Sequence, residues 1–427
     1  INVEEDSTNL WLQYRYKKKI QYKNTHHFGV FFNLHDSSIS NIIQSKPLLL
    51  GNGLLTNYRF GISGIEIFNS MFFSNSKEES EKGFVRKIKD VSMYTNQAYF
   101  KYSKNQSILS YSFKLGRDFL TEGYGLSSNL FFSDYSRPFD QFLIEASYKK
   151  INGKFSAINL EPLSNYNRYL YMHSLSINLN KLSLTFGESV ISTGIEESID
   201  IKYLNPFNFW AWENLGSLDK GLNAFLYFGF TFKLKKTIRL YGEILFDDIN
   251  FHIKDSYYLN RYAYLIGFQK TSFPFLSSNI WIEHSNVLNQ VYQSYHPSHI
   301  YTHRGFPIGH YLGNDFINTR IHYSQLFKSL NSKLFIDFSY LIQGKNNLNT
   351  PFDNPWEDNM GNKIIGYKHP GFPTPPVTNL VDFNLGVEVG IINLTYLTIS
   401  LENLKISDDV SLSKIRISFW SYIKIHK

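Results

Sequence analysis

The sequence predicts an all-β chain: a single transmembrane antiparallel β-barrel of about 18 strands, with short turns at one rim and long loops at the other. Three observations carry this expectation. Segments of about ten residues alternate apolar and polar side chains. No run of roughly eighteen apolar residues exists, which excludes membrane-crossing helices. The connections between the alternating segments switch between short and long.

Residues 223–236 show the alternation at its clearest. Ala224, Leu226, Phe228, Phe230, Phe232 and Leu234 fall on one face. Asn223, Tyr227, Gly229, Thr231, Lys233 and Lys235 fall on the other, with Phe225 the one apolar residue among them. A period of two belongs to a strand with unlike faces. The same texture recurs at 181–186, 238–248, 334–343, 381–389 and 414–425. In a soluble sandwich the polar face would lie outside; in a barrel in lipid it lines the lumen. Charged residues recurring on that one face favour the barrel. The candidate lumen residues are Asn223, Arg239, Glu243, Asp247, Glu283, Asp337, Asp382, Glu388 and Arg416, and Leu226, Phe228 and Phe230 are expected to face lipid. Tyr227, Tyr241, Trp281 and Trp420 also point inward, and their bulk argues for an occluded lumen.

The connections support the same architecture. Short ones fall near 60–62, 103–106, 150–153, 178–181, 235–236, 270–276, 328–332 and 391–395. Between them lie 35–53, 75–86, 119–139, 191–220, 249–259, 288–315 and 344–379, with a modest one at 163–167. Outer-membrane barrels place short turns in the periplasm and long loops outside. Counting from about residue 26 gives eighteen strands with both ends periplasmic. Residues 1–25 read as a periplasmic lead-in and 26–427 as the barrel. The polar, acidic opening INVEEDSTNL suits a mature chain whose signal peptide has been removed.

Composition excludes several classes. The chain has 427 residues, with 30 Tyr, 37 Phe and 6 Trp, and no linker that would split it into domains. The absence of cysteine leaves no disulfide framework and no thiolate chemistry. A net charge of +7 is scattered over strands and turns, with no basic helix or patch for nucleic acid.

Five segments recur in a telling order: LGRDFLTEGYGLSSNLFFSDYSRPFDQF (115–142), FGES (186–189), YLNPFNFWAWEN (203–214), YGEILFDD (241–248) and YTHRGFPIGHYLGND (301–315). Together they resemble the Wzi-type capsule-assembly outer-membrane proteins, in the Bacteroidetes-like form that includes a gliding-associated relative. The resemblance covers roughly residues 110–320. It implies an eighteen-stranded bacterial outer-membrane barrel that holds capsular or other surface polysaccharide as a lectin, not as an enzyme. The implied partners are outer-membrane lipid, the polysaccharide and other envelope proteins; no cofactor or metal is implied.

Candidate chemistry is sparse. GRDFLTEGYG at 116–125 lacks the ending and helix of a phosphate loop and reads as a turn. Asp247, Asp248 and Glu243 offer oxygen ligands for Ca²⁺, but pairing with Arg239 accounts for them equally. His284 and Ser285 are adjacent on a strand, so they face opposite ways and cannot serve as base and nucleophile. His296, His299, His303 and His310 crowd one long loop without metal-ligand spacing. The loop at 203–214 differs, because Tyr203, Trp210 and Trp212 stand beside Asn205, Asn208 and Glu213. Aromatic faces with amides and carboxylates suit sugar binding. An interfacial aromatic belt or an infolded plug accounts for them as well. Tyr301, His303 and Arg304, in the next long loop but one, complete the glycan-binding candidates. A passive diffusion channel and a structural subunit of an envelope or motility complex stand as alternative functions.

Overall fold

The computed structural model describes residues 25–34, 53–62, 64–74, 86–88, 91–196, 198–210, 222–248, 260–294, 296–350, 371–392, 395–406 and 410–425. Almost all of the 1–25 lead-in lies outside these residues. The strands are β1 (Thr25–Leu34), β2 (Gly53–Ile62), β3 (Ile65–Ser74), β4 (Arg86–Ile88), β5 (Val91–Asn105), β6 (Leu109–Asp118) and β7 (Phe139–Tyr148). They continue with β8 (Ile151–Leu163), β9 (Tyr166–Leu179), β10 (Leu182–Ile195), β11 (Leu222–Lys235), β12 (Ile238–Asp248), β13 (Arg261–Thr271) and β14 (Ser278–Val287). The remainder are β15 (Thr302–His303), β16 (Phe306–Pro307), β17 (Phe316–Phe327), β18 (Ser332–Gln343), β19 (Thr378–Ile392), β20 (Thr395–Ile406) and β21 (Val410–Ile425).

Each long strand pairs antiparallel with its neighbours in sequence, and β21 returns to β1 with His26 opposite Ile425 and Leu34 opposite Ile417. That pairing closes the ring. Setting aside β4, which only extends the edge of β5, and the small β15–β16 hairpin, the ring among the described residues has eighteen strands. A closed ring leaves no strand edge unpaired, as a bilayer requires. Both ends of the described chain lie at the short-turn rim.

Burial follows the predicted period of two. Along β11, Asn223, Phe225, Tyr227, Gly229 and Thr231 are buried, while Phe228 is 42% exposed. The inward face is crowded, and glycine makes room where it must. A Cβ at Gly267 would lie 2.1 Å from the Tyr241 ring, and one at Gly187 would lie 2.8 Å from Phe131. At the short-turn rim, two-residue turns such as Asn180–Lys181 need a left-handed residue, which Asn180 supplies at φ 48°. One connection at the long-loop rim is as short as these: β8 and β9 are joined by residues 164–165 alone.

Candidate functional site

Two long loops fill the lumen. Residues 119–138 and 288–315 turn inward, and their Leu130, Phe131, Phe132, Val291, Tyr292 and Tyr301 join the inward strand residues in one buried apolar cluster. Phe131 stacks on the inward Tyr227 at 4.8 Å. Apolar packing alone is not directional, so the polar wall residues fix the position of these loops.

Glu243 holds the first loop by its backbone. One carboxylate oxygen accepts from the amides of Tyr124 and Gly125 (2.7 Å for the latter), and the other accepts from Leu130 N at 2.7 Å. Glu283 does the same two strands further round, accepting from Leu126 N at 2.7 Å, Ser127 N at 3.2 Å, the Ser127 hydroxyl and the Tyr241 hydroxyl at 3.0 Å. Arg239 donates to Tyr124 O at 2.8 Å and lies over the Tyr241 ring. Its described hydrogen bond therefore goes to the plug and not to the carboxylates expected to pair with it. Asp247 accepts from Tyr292 N at 2.7 Å, and Asn223 donates to His299 O at 3.2 Å.

The second loop is held from β9 as well. The buried Arg168 guanidinium donates to the carbonyls of Ser298 and Ile300, both at 2.5 Å, and pairs with Glu161 at 3.4 Å. The loops also tie to each other, because Tyr292 and Tyr301 donate to Leu130 O (2.6 Å) and Phe131 O (3.0 Å). Burial pushes both phenols up, which keeps them protonated as donors. His310 is packed between Tyr311 and Phe316. Burial first, and then the Arg320 charge, push its imidazole down to about 3, so it is neutral.

The remaining lumen candidates spread round the far wall. Asp337 accepts from Arg320 (3.2 Å) and pairs with His322 at 2.9 Å. Asp382 and Glu388 lie on the partly buried inward face of β19. Arg416 sits opposite Ser400 in β21, and its side chain is outside the described ones, as is that of Trp420. Trp281 is inward and stacks on His322. His284 faces away from Ser285 and contacts Thr319 at 2.9 Å. Beneath the plug, a polar cavity of about 500 Å³ lies beside the short turns at 106–108 and 149–150, lined by Ser103, Asn105, Ser147, Asn152 and Lys154. Glu122 of the plug loop, bound to Lys154 at 2.6 Å, forms part of its lining.

Few of the glycan candidates present a free polar or aromatic face. Tyr301 is fully buried in the plug, and His303 is locked between Glu161 (2.8 Å) and Pro138 O (3.1 Å). Arg304 remains at the long-loop rim, 3.6 Å from Asp140, which Arg117 grips with two hydrogen bonds of 2.8 and 2.6 Å. Arg137 lies close by, over Phe306 at 4.8 Å. Burial and the neighbouring Arg117 charge push the Arg304 guanidinium down from its ordinary value.

The described part of the 203–214 loop, residues 203–210, takes neither an inward nor an upward course. It folds down the outer wall of the barrel. In β9 and β10 the inward residues are marked by Arg168 and by Thr185, which meets the plug residue Tyr124 at 2.7 Å. Tyr171, His173, Phe186, Glu188 and Val190 have the opposite parity and point outward. Trp210 stacks on His173 at 4.2 Å, its amide donates to Glu188 at 3.0 Å, and Tyr203 lies 5.1 Å from Tyr171. Both candidates are therefore covered, and Asn205 and Asn208 sit on this same wall. Trp212 and Glu213 lie outside the described residues.

A closed ring of antiparallel strands, apolar outside and polar inside, decides the class. The chain folds as an outer-membrane β-barrel. It is similar to the solved structure of Wzi from Escherichia coli, described as an outer-membrane protein involved in group 1 capsule assembly and as a carbohydrate-binding β-barrel. The match has a TM-score of 0.66 at 16% identity and covers 98% of this chain and 89% of that one. The barrel also aligns with the outer membrane protein OprD from Pseudomonas aeruginosa, at a TM-score of 0.48 and 12% identity over 95% of each chain. No family model matches the sequence, and no curated protein does. Sequence reasoning missed Arg168 and Glu161, which hold the second loop. A basic residue within the strand 166–179 was the available signal for the first.

Proposed function

We propose that this barrel is a non-enzymatic outer-membrane protein that holds surface polysaccharide and conducts no solute. The observation that carries the reading is the filled lumen. Two loops tied to the wall through Glu243, Glu283, Asp247 and Arg168 occupy the space a diffusion pathway would need. Eighteen strands enclose room for an aqueous channel, so closure comes from these loops and not from ring size. The likeness in fold to a carbohydrate-binding barrel supports the polysaccharide half of the reading. At the long-loop rim, two arginines (Arg117 and Arg304) share the single Asp140 carboxylate, and Arg137 lies nearby over Phe306. That excess of planar cations suits sugars bearing carboxylate or phosphate groups. The test pairs planar-bilayer conductance with binding of purified acidic and neutral polysaccharides to the barrel in nanodiscs. The proposal expects a silent bilayer and retention of the acidic polymer that Arg304→Ala weakens several-fold. Steady conductance by the wild-type barrel, with no polymer retained, overturns it in favour of the diffusion channel.

A further inference from the structure

The covered outer wall points to a contact that neither the barrel class nor the polysaccharide reading requires. The 198–210 segment leaves the top of β10 and descends until Phe209 lies parallel to Phe186, with ring centroids 5.7 Å apart. Phe186 is the fifth residue of β10 from the short-turn rim, and a crossing strand needs about 9–11 residues. The segment therefore reaches membrane depth. Its inner side caps the outward His173–Glu188 pair, 3.1 Å apart, with Trp210. Without that cap, a polar pair would face hydrocarbon at considerable cost.

The other side of the segment is uncovered and mostly apolar, with Lys202, paired to Asp200 at 3.2 Å, and Asn205 also exposed on it. Phe207 is 96% exposed and Ile201 80%, with Ile199, Leu204 and Phe209 exposed beside them. This patch runs without a break into Phe186, which is itself lipid-facing. We propose that the 198–210 segment is a skirt embedded in the outer leaflet, with its exposed face in contact with lipid acyl chains.

Backbone hydrogen bonding favours lipid as the occupant. Irregular chain at membrane depth is tolerated only where its polar groups find partners within the protein. Here the amides of Asp200, Lys202, Tyr203, Phe207, Asn208 and Trp210 all do. They donate respectively to the Tyr171 hydroxyl (2.9 Å), Asp200 Oδ1 (3.0 Å), Asp200 O (3.2 Å), Asn205 Oδ1 (3.1 Å), Asn205 O (3.3 Å) and Glu188 (3.0 Å). Two of these acceptors are side chains of the segment, two are its carbonyls and two are side chains of the barrel wall, so these six amides need no water.

The inference rests on the membrane-spanning reading, and the test separates the two. The chain has no cysteine, so single nitroxide labels can be placed at Phe207→Cys, at Phe228→Cys on the lipid-facing wall and at Lys181→Cys in a short turn. Collision rates with oxygen, which concentrates in hydrocarbon, and with a water-soluble nickel chelate are measured in lipid vesicles. Phe207 is 96% exposed, so its replacement leaves the packing intact. The skirt predicts an oxygen-to-nickel ratio at 207 matching that at 228 and several-fold above that at 181. A ratio at 207 matching 181 overturns the skirt while the value at 228 still reports the barrel. Low collision with both reagents at 207 indicates a protein cover and overturns it equally.

Discussion

Removing the two carboxylates that hold the 119–138 loop should open the barrel without unfolding it. Glu243 and Glu283 together accept from five backbone amides: Tyr124, Gly125, Leu130, Leu126 and Ser127. At a net value of about 1 kcal/mol per hydrogen bond, Glu243→Ala with Glu283→Ala forfeits roughly 5 kcal/mol of loop anchoring. A change of that size shifts a closed-to-open equilibrium by about 10³–10⁴-fold. The strands lose nothing comparable, since both residues keep their backbone pairing. The assay is single-channel conductance in planar bilayers, read beside the heat-dependent gel mobility of a folded barrel. The double variant should show stable openings where the wild type is silent. A well-folded double variant that stays silent would refute the claim that these carboxylates hold the plug, and would leave closure to apolar packing.

Two further outcomes follow from the same geometry. Phe228→Arg places a charge on the lipid face near mid-strand and should cost about 2–4 kcal/mol in a denaturant titration in vesicles. Equal stability to wild type would count against the assigned lipid face. His310 gives a pH dependence: its imidazole sits at about 3 in the closed barrel, against 6.5 ordinarily. A displaced loop binds a proton below about pH 6.5 and the closed one does not, so plug stability is complete above that pH and declines towards pH 3, by about 2 kcal/mol at pH 5. Conductance should therefore rise on acidification, and His310→Asn, whose side-chain oxygen can replace Nδ1 as acceptor for Leu312 N, should flatten the response.

What could be read from the sequence was what local periodicity determines. The two faces of β11 and β12, the eighteen strands and the rim positions of the short turns all follow from alternation and turn chemistry, because a one-residue slip would turn every apolar side chain into the lumen. The joining of β20 to β21 near 407–409 was harder to see, since residues 395–425 read as nearly continuous strand. Where a long loop goes was not legible at all. Tyr203 and Trp210 have the composition of a sugar platform, yet their surroundings are Tyr171, His173 and Glu188, whose outward parity becomes visible only once the register of β9 and β10 is known.

The same distinction explains why the polar lumen residues do not by themselves tell an open barrel from a closed one. Arg239, Glu243, Asp247 and Glu283 have the sequence pattern of a wet channel wall, and a porin would show the same pattern. A solvated carboxylate in a channel has water for its lone pairs. A buried one must find donors in the protein, and backbone amides of an infolded loop supply them without bringing a second charge into the site. Glu243, with three such amides, is thus more informative about closure than the bulk of the aromatic residues around it. Large side chains can line an open pore, but a carboxylate that collects the amides of Tyr124, Gly125 and Leu130 requires the loop to be inside.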